Sequence, residues 1–233
     1  MTDARQEPPE APPNSPVPQA GSPVPQAGCR SEAPATRRPG GRTARVRAQV
    51  LEAVLAELGE RGFAGLTVEG VAARAGVHRT TVYRRWQDVG GLLADALDAA
   101  GEDTTWQPPD TGSLHGDLHA LNTEIYDSLR TPASVPAALI AASFHSDRAA
   151  HAQQRLWEGR YAQCGVIVER AVRRAELPPG TDARRLLIAA TAPLYHELIL
   201  LRTPARPQLP LEAAEMATAA ANAGAFGPRR DAR

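Results

Sequence analysis

The chain has 233 residues, with 26 arginines, 26 acidic residues and no lysine, so its formal net charge at pH 7 is zero. This length allows one large domain or two small ones, with a hydrophobic core that needs neither metal nor disulfide. The only cysteines, Cys29 and Cys164, indicate neither a disulfide framework nor a zinc cluster. No apolar run has the length of a signal peptide or a membrane span, so we expect a cytoplasmic protein.

The zero net charge conceals an uneven distribution of charge along the chain. Residues 30–86 hold eleven arginines against five acidic residues, whereas residues 87–233 hold fourteen arginines against eighteen. A basic block joined to an acidic remainder favours an anionic partner for the block. Chance clustering of arginines on a solvated face gives the same pattern, so charge alone leaves both interpretations open.

The first 36 residues are predicted to form a disordered tail. They are rich in Pro, Ala, Ser and Gln, and the heptapeptide SPVPQAG occurs twice in tandem. A segment of this composition buries too little apolar surface to offset the entropy that ordering would remove. The basic sequence RRPGGR, residues 37–42, should follow as a flexible basic arm.

Helical periodicity begins at Thr43, and an apolar stripe predicts a first helix as far as Gly62. Three shorter helices should follow, and Gly70 lies inside the first of these at a cost of about 1 kcal/mol relative to alanine. Their predicted bounds are 67–76, 79–86 and 88–100, with Thr67 and Asp88 as N-caps.

The rest of the chain also has helical character, and no segment has the alternation of a strand. Pro193 falls within an apolar helical run and predicts a kink or a break. Fraying is expected from residue 226. The fold class is therefore all-α with about nine helices, and the later ones are predicted near residues 113–130, 133–146, 149–177, 182–202 and 210–225.

Two short helices joined by a glycine-containing turn have the layout of a helix-turn-helix. A helical wheel of residues 79–86 directs Val82 and Trp86 toward the core, and Thr80 and Arg84 away from it. Arg79 stands at the N-terminal end, which enters the major groove first. Arginine can donate two hydrogen bonds to guanine, and a threonine methyl can contact thymine. DNA binding is therefore favoured over an ordinary amphipathic helix with a solvated arginine face.

The sequence LTVEGVAARAGVHRTTVYRRW, residues 66–86, resembles the DNA-binding signature of the TetR-like family of transcriptional regulators. The upstream RTARVRAQVLEAVLAELGERGF and the downstream GLLADALDAA resemble the first and fourth helices of that family. Two later stretches, DTGSLHGDL (110–118) and RAELPPGTDARRLLIAATAPLYHELIL (174–200), resemble one subgroup of its ligand-binding domains. Together these matches span most of the chain after the tail.

The resemblance implies a division into two functional parts. A three-helix DNA-binding domain, containing the helix-turn-helix and the basic arm, would cover residues 37–87. A larger helical domain for ligand binding and dimerisation would cover residues 88–226, with the helix at 88–100 as connector and a C-terminal tail at 227–233. The sequence contains no GxSxG motif, no phosphate-binding loop and no supported carboxylate pair, so we expect no catalytic residue, no cofactor and no metal.

The resemblance also implies roles for single residues. Arg79, Thr80 and Tyr83 match positions that reach bases or the backbone beside them. His78 departs from the family because a serine-like N-cap is usual there. Val89 departs because a basic residue that grips phosphate is usual at the start of the fourth helix, and the basic arm would compensate. Phosphate contacts are implied for Thr67, Thr81, Tyr83 and Arg85, and the full predicted DNA-binding set is Arg42, Thr67, Arg79, Thr80, Thr81, Tyr83, Arg84 and Arg85.

An effector pocket is implied among the aromatic and imidazole side chains of the second half, although each of them taken alone is more often a core residue than a pocket residue. His115 and His119 have the i, i+4 spacing of two metal ligands, but no third ligand stands near them, so ordinary structural roles are favoured. Cys164 is expected to be a buried small residue. The pocket candidates are Trp106, Phe144, His145, Trp157, Tyr161 and His196, with Tyr195 beside the last of them.

The leading hypothesis is a homodimeric repressor that a small-molecule effector releases from a palindromic operator. The dimer would form through the helices near 182–202 and 210–225. An alternative is an architectural DNA-binding protein, or an activator, without a small-molecule switch. A more distant alternative is an all-α enzyme or interaction module with a solvated basic face.

Overall fold

A computed structural model describes residues 40–102, 105–131 and 134–227 of the chain. The predicted tail at 1–36, the start of the basic arm and residues 228–233 lie outside the described residues. Within the described ranges all regular elements are helical, which confirms the all-α class. The nine α-helices there are α1 (Gly40–Arg61), α2 (Val68–Arg74), α3 (Arg79–Trp86), α4 (Val89–Gly101), α5 (Leu114–Arg130), α6 (Val135–Ser143), α7 (Asp147–Arg173), α8 (Ala183–Tyr195) and α9 (Leu209–Asn222).

Side chains cap the N-termini of seven helices, α2 to α8. The predicted caps are confirmed: Thr67 Oγ1 accepts a hydrogen bond from the amide of Gly70 at 3.0 Å, and Asp88 Oδ1 accepts one from Gly91 at 2.8 Å. Each cap satisfies a backbone N–H that the first helical turn leaves without a partner. The bounds of α2, α3 and α4 therefore lie within two residues of their predicted positions. None of the described helices combines the length and the hydropathy that a bilayer span requires.

Helix α1 begins at Gly40 rather than at the predicted Thr43. The flexibility expected of the basic arm is therefore wrong for its last three residues. Extending an existing helix by one turn needs no new nucleus, and each glycine costs only about 1 kcal/mol relative to alanine. The predicted stop at Gly62 is confirmed, because this residue has a φ of +64°, a left-handed conformation that glycine adopts readily.

The packing of α2 on α1 explains the glycine inside α2. A Cβ atom at Gly70 would lie 3.0 Å from Thr67 Oγ1 and 3.5 Å from Glu57 Oε2. Glu57 is a buried carboxylate of α1, only 2% exposed. A larger residue at this position would therefore crowd the cap oxygen of α2 and touch the carboxylate beneath it, which explains why glycine stands here despite its low helix propensity.

Helices α6 and α7 differ in extent from the predicted ranges 133–146 and 149–177. Helix α7 begins two residues early because Ser146 caps it. It ends four residues early because Ala175 takes a φ of +59°. Helix α6 ends at Ser143, whose hydroxyl donates to the carbonyl of Ile140. Helix propensity does not mark these positions, whereas the cap at Ser146 and the left-handed backbone at Ala175 do.

The interruption predicted at Pro193 is confirmed. Regular α-helix continues only to Tyr195, and a π-helical turn, His196–Leu201, follows directly. Proline has no backbone N–H, so the hydrogen bond from residue 193 to the preceding turn is missing, and the regular helix ends two residues later. The π-helical turn ends at Arg202, which takes a left-handed φ of +54°.

The first hydrophobic core joins α1–α4 to the N-terminal part of the larger domain. Val50 of α1 and Trp86 of α3 belong to the same buried cluster as Leu139 and Ala142 of α6 and Ala152 of α7. A second core lies between α5, α7, α8 and α9. The proposed boundary after residue 87 therefore separates helices but does not separate hydrophobic cores.

A polar cluster ties the start of α5 to the end of α7. Asp117 is fully buried, and its Oδ1 accepts hydrogen bonds from the amide and the hydroxyl of Thr111 at 2.6 and 2.8 Å. Arg174 lies 3.4 Å from Asp117 Oδ2 and pairs with Glu176, whose Oε2 accepts from the amide of Leu114 at 2.7 Å. The stretches 110–118 and 174–200, which resemble one subgroup of ligand-binding domains, are thus in contact through this polar cluster.

The chain after α9 packs against the protein as far as residue 226. Phe226 is 7% exposed, its carbonyl accepts a hydrogen bond from the amide of Asp182, and the guanidinium of Arg185 lies over its ring. Fraying from residue 226 onward is therefore a wrong prediction for Phe226. The small and polar residues around Phe226 resemble a frayed tail in sequence, although this one aromatic side chain packs against the protein.

Candidate DNA-binding interface

Helix α3 buries one face and exposes the other, as its helical wheel predicts. Val82 is 0% and Trp86 is 3% exposed, and both lie in the first core. Arg79, Thr80 and Arg84 are exposed. The eight-residue helix α3 therefore exposes a polar and cationic face, as the recognition helix of a helix-turn-helix does.

The N-cap of α3 is His78, and it also orients the side chain of Thr80. The Nδ1 atom of His78 lies 2.8 Å from Thr80 Oγ1 and accepts a longer bond, 3.4 Å, from the amide of Thr80. With Nδ1 as the acceptor, the threonine hydroxyl donates its proton to the imidazole. Its oxygen remains able to accept from a base, and its rotamer is held. A histidine in place of a serine-like cap thus orients the hydroxyl of Thr80, which was not predicted from the sequence.

Tyr83 is 43% exposed, and its hydroxyl donates a 2.8 Å hydrogen bond to Glu69 Oε1 of α2. This bond raises the pKa of Tyr83 and lowers the pKa of Glu69. It joins the exposed faces of the two helices of the helix-turn-helix. The ring of Tyr83 is therefore held in place, and its oxygen retains a lone pair for a further donor.

The remaining predicted DNA contacts lie on or beside the same helices. Thr67 is exposed and its hydroxyl oxygen caps α2, which leaves its proton free to donate. Thr81 is half-buried, and Arg42 is exposed near the start of α1. Arg85 is exposed and its guanidinium lies 5.0 Å from the centre of the Trp86 ring. Contacts between these residues and DNA stay predictions.

Asp95 of α4 connects α3 to α1. Its carboxylate accepts the indole N–H of Trp86 at 2.7 Å and two close hydrogen bonds from Arg47 of α1, at 2.8 and 2.9 Å. Burial raises the pKa of Asp95, but the hydrogen bonds from Arg47 and Trp86 outweigh this effect and leave its pKa below the ordinary value. The orientation of the recognition helix thus depends on an ionised carboxylate in α4.

Arg148, near the start of α7, contacts the same C-terminal end of the recognition helix as Asp95 does. One guanidinium nitrogen donates to the carbonyl of Trp86 at 3.3 Å and to the side chain of Gln87 at 3.4 Å. The carbonyls at the end of a helix carry partial negative charge, which a cation stabilises. Helix α7 therefore reaches α3 directly, without passing through α4.

A cavity of about 640 Å³ lies between helices α1 and α4 on one side and α5 to α8 on the others. Leu51 and Leu55 of α1 and Ala96 and Leu97 of α4 form one side of it, and residues of α5 to α8 form the others. The wall is mostly apolar. Its volume falls within the range of small-molecule sites.

Half of the predicted pocket residues lie in the wall of this cavity. Trp106, Trp157 and Tyr161 do, together with Tyr195, and their binding of an effector stays a prediction. Phe144 is 66% exposed and His145 stacks on Phe63 at 4.4 Å, since both follow the end of α6, outside the cavity. His196 is exposed, on the π-helical turn. These last three therefore do not line the cavity.

Several polar wall residues escaped the sequence analysis. Arg160, Gln153, Glu124 and Thr191 all face the cavity, although nothing in their local sequence distinguishes them from surface residues. Their helical spacing from the aromatic candidates is the available signal, because Gln153, Trp157 and Arg160 share one face of α7.

Two further expectations concern His and Cys residues. The rings of His115 and His119 lie 6.3 Å apart, and within the described residues no group of three His, Cys, Asp or Glu side chains could hold a metal ion. Cys164 is buried as predicted, and burial raises the pKa of its thiol to about 11.

Two family models match the chain. One, described as bacterial regulatory proteins of the tetR family, matches residues 50–96. The other, described as the C-terminal domain of tetracyclin repressor-like proteins, matches residues 108–217.

Similar proteins cover most of the chain. The HTH-type transcriptional regulator AqdR of Rhodococcus erythropolis is 32% identical over 178 residues, which are 75% of this chain and 84% of that protein. The DNA-binding transcriptional repressor TetR of Mycobacteroides abscessus is 32% identical over 157 residues, 66% of this chain and 82% of that one.

Solved structures support the same assignment. The TetR family transcription regulator SCO0332 superposes with a TM-score of 0.59 at 28% identity, over 75% of this chain and 97% of its own. A regulator from Pseudomonas aeruginosa PAO1 shares the fold, with a TM-score of 0.55 at 20% identity over 77% of this chain and 91% of its own. The exposed cationic face of α3, the helix-turn-helix geometry and these relatives lead to one conclusion: the chain belongs to the TetR family and is a DNA-binding transcriptional regulator.

Proposed function

We propose that this regulator acts in the cytoplasm as a homodimeric repressor, and that a small molecule bound in the cavity releases it from a palindromic operator. The observation that carries the proposal is the position of the cavity. Leu51 and Leu55 of α1 and Ala96 and Leu97 of α4 belong to helices that hold the recognition helix, so a ligand would touch these helices directly.

The contacts between the cavity and α3 supply a physical route for release. Asp95 holds Trp86, and it lies beside Ala96, which faces the cavity. Arg148 binds the carbonyl of Trp86, at the same end of α3, and belongs to α7, whose residues Gln153 and Trp157 line the cavity. A ligand that shifts α4 or α7 would therefore move the recognition helix.

The energetic requirement of such a switch is small. Two recognition helices of a dimer must lie about 34–36 Å apart, or a multiple of this, to enter successive major grooves. A ligand need only prefer a conformation with a different spacing. A coupling free energy of about 1–3 kcal/mol changes the affinity for DNA about 5- to 150-fold.

Helices α8 and α9 carry the surface proposed for dimerisation. Ala189 and Ala192 of α8 and Ala219 of α9 are exposed, and small residues let two helices approach closely. Leu201, in the π-helical turn, and Met216 of α9 are 57% and 58% exposed. An apolar surface of this kind favours association with a second copy about a two-fold axis.

We expect the chain to sediment as a dimer at micromolar concentration, and Met216→Arg to shift it toward the monomer. The substitution would place two like charges near the two-fold axis of the proposed interface. Ala162→Arg, on an exposed position of α7, is the matched control and should leave the dimer intact. A wild-type monomer at this concentration would contradict the proposed assembly.

We expect substitutions on α3 to separate sequence preference from general affinity. Arg79→Ala and Thr80→Ala should relax base preference, and loss of a bidentate arginine contact should cost about 1–3 kcal/mol. Arg85→Ala removes the same charge as Arg79→Ala, but it should weaken binding to all sequences alike and reduce the salt slope by about 1. Operator titrations at several salt concentrations measure both effects. Unchanged affinity and preference in the Arg79 and Thr80 variants would exclude α3 as the reading helix.

The function itself is tested in two steps. Purified protein first recovers the genomic fragments that it binds, and a panel of compounds is then tested for release of the recovered DNA. We expect the fragments to share a palindrome and at least one apolar compound to release them. Specific binding that no cavity-bound compound affects would instead support an activator or an architectural protein without a small-molecule switch.

A further inference from the structure

We infer that the cavity selects an elongated, mostly apolar anion, with its acidic group at Arg160 and a hydrogen-bond donor at the opposite end, at Gln153. This inference rests on the proposed function, because it names the class of the effector. It follows from three polar groups in an otherwise apolar wall and from their spacing along α7.

The first of these groups is the guanidinium of Arg160. No carboxylate of the described residues lies within ion-pair distance of it, and its hydrogen bonds go to the neutral oxygens of Gln163 and Ala100 at 3.2 and 3.3 Å. The guanidinium also lies over the ring of Trp106, 5.5 Å from its centre. Arg160 is half-buried at the cavity wall and retains N–H groups for a further acceptor.

Among the described wall residues the two formal charges, those of Arg160 and Glu124, are opposite, but only Arg160 is half-buried. Glu124 is exposed, and its carboxylate already accepts the indole N–H of Trp106 at 2.8 Å. Burial raises the pKa of Tyr195, and the charge of Arg160 opposes this effect. An anionic group placed against Arg160 would gain from its charge, and a cation there would be repelled.

The second group is Tyr195, which lines the cavity and whose hydroxyl donates no hydrogen bond to any described residue. The ring of Tyr195 stands edge-on to Trp157, with the ring centres 4.8 Å apart. This aromatic pair and Arg160 belong to the same cavity wall. A carboxylate or enolate at this end could therefore receive donors from both the guanidinium and the phenol.

The third group is the side-chain amide of Gln153. Its Oε1 atom is buried without a hydrogen-bond partner in the described part of the chain. A buried acceptor without a partner is unfavourable, and rotation of the Gln153 side chain into the cavity would let a ligand donor satisfy it. Gln153 precedes Arg160 by seven residues on the same face of α7, which places the two about 10 Å apart along the helix axis.

Isothermal titration calorimetry on the full chain, without DNA, tests this ligand class with four related naphthalenes. The probe 6-hydroxy-2-naphthoate carries an acid and a hydroxyl at opposite ends of a flat ring system. Its comparators are 2-naphthoate, which lacks the hydroxyl, the neutral 6-hydroxy-2-naphthamide, and the cationic 6-hydroxy-2-naphthylmethylamine. We expect the hydroxy acid to bind about tenfold more tightly than either 2-naphthoate or the amide, and the cation to bind least.

Two variants assign the ends of the ligand. Arg160→Gln should remove the preference for the acid over the amide and keep the preference for the hydroxyl. Gln153→Leu should do the reverse. Thermal melts check that each variant remains folded, and the comparison of probes on the wild-type chain stands even where a variant does not fold. Binding of the cation as tightly as the acid, or no binding of any probe to folded protein, would overturn the inference.

Release of operator DNA by the same four probes separates this inference from the proposed function. If the probes bind in the expected order but do not release DNA, the ligand class is supported and the proposed switch is wrong. If an unrelated cation or a neutral compound releases DNA from the cavity while the acids do not bind, the switch is supported and the ligand class is wrong.

Discussion

Replacement of Trp86 by alanine is expected to destabilise the fold by about 3–5 kcal/mol, the range for deletion of a buried tryptophan. The side chain is 3% exposed and packs in the core that joins α1–α4 to α6 and α7. The substitution also removes the donor to Asp95, which Arg47 would then hold alone. We expect a melting temperature about 10 °C lower, and DNA binding lost in proportion to the unfolded fraction.

The matched control is Trp86→Phe. It retains most of the apolar volume but removes the indole N–H, so we expect a smaller loss, about 1–3 kcal/mol. Thermal and urea denaturation measure both variants. If Trp86→Ala melts at the wild-type temperature, the side chain does not anchor the recognition helix in the core.

The second large effect is expected from Arg74→Ala. Arg74 of α2 donates from Nε to Glu57 Oε1 at 2.7 Å and pairs with Glu60 through its other nitrogens. Glu57 is 2% exposed, and loss of the closest cation of a buried carboxylate is strongly destabilising. Arg61 remains 3.1 Å from Oε2, so we expect a loss of stability smaller than that of a fully unpaired charge but clearly larger than that of Arg61→Ala, measured by urea denaturation.

Arg61→Ala provides the control within the same cluster. Arg61 lies 3.1 Å from Glu57 Oε2, which accepts no hydrogen bond in the described residues, and its side chain is 57% exposed. Exposed ion pairs contribute about 0–1 kcal/mol, so this variant should melt close to the wild type. Equal losses for the two variants would mean that the position of the arginine around Glu57 does not matter.

The helix-turn-helix was the most predictable part of the chain, because local chemistry determines it. The caps Thr67 and Asp88 and the glycines Gly62 and Gly76 mark helix ends through contacts within a few residues. The periodicity of α3 likewise predicts its buried face without reference to the rest of the fold.

The cavity was only partly predictable, because its wall is assembled from six helices that are spread along the sequence. The aromatic candidates in the middle of α7 lie in the wall, whereas Phe144 and His145 follow the end of α6 and lie outside it. Residue type therefore suggested the right class of side chain, and only the packing of the helices decided which of them face inward. Phe226 illustrates the same limit, since its partners Asp182 and Arg185 lie about 40 residues earlier.

The core shared by α1–α4 with α6 and α7 has a consequence for modularity. Leu139, Ala142 and Ala152 cover apolar side chains of the DNA-binding helices that a separate headpiece would leave in water. The DNA-binding helices α1–α4 of this regulator therefore cannot be exchanged between proteins as an independently folding domain. A chimera that carries the α1–α4 region of another regulator must also carry the faces of α6 and α7 that pack against it. Recombination within the family is therefore expected to keep α1–α4, α6 and α7 together.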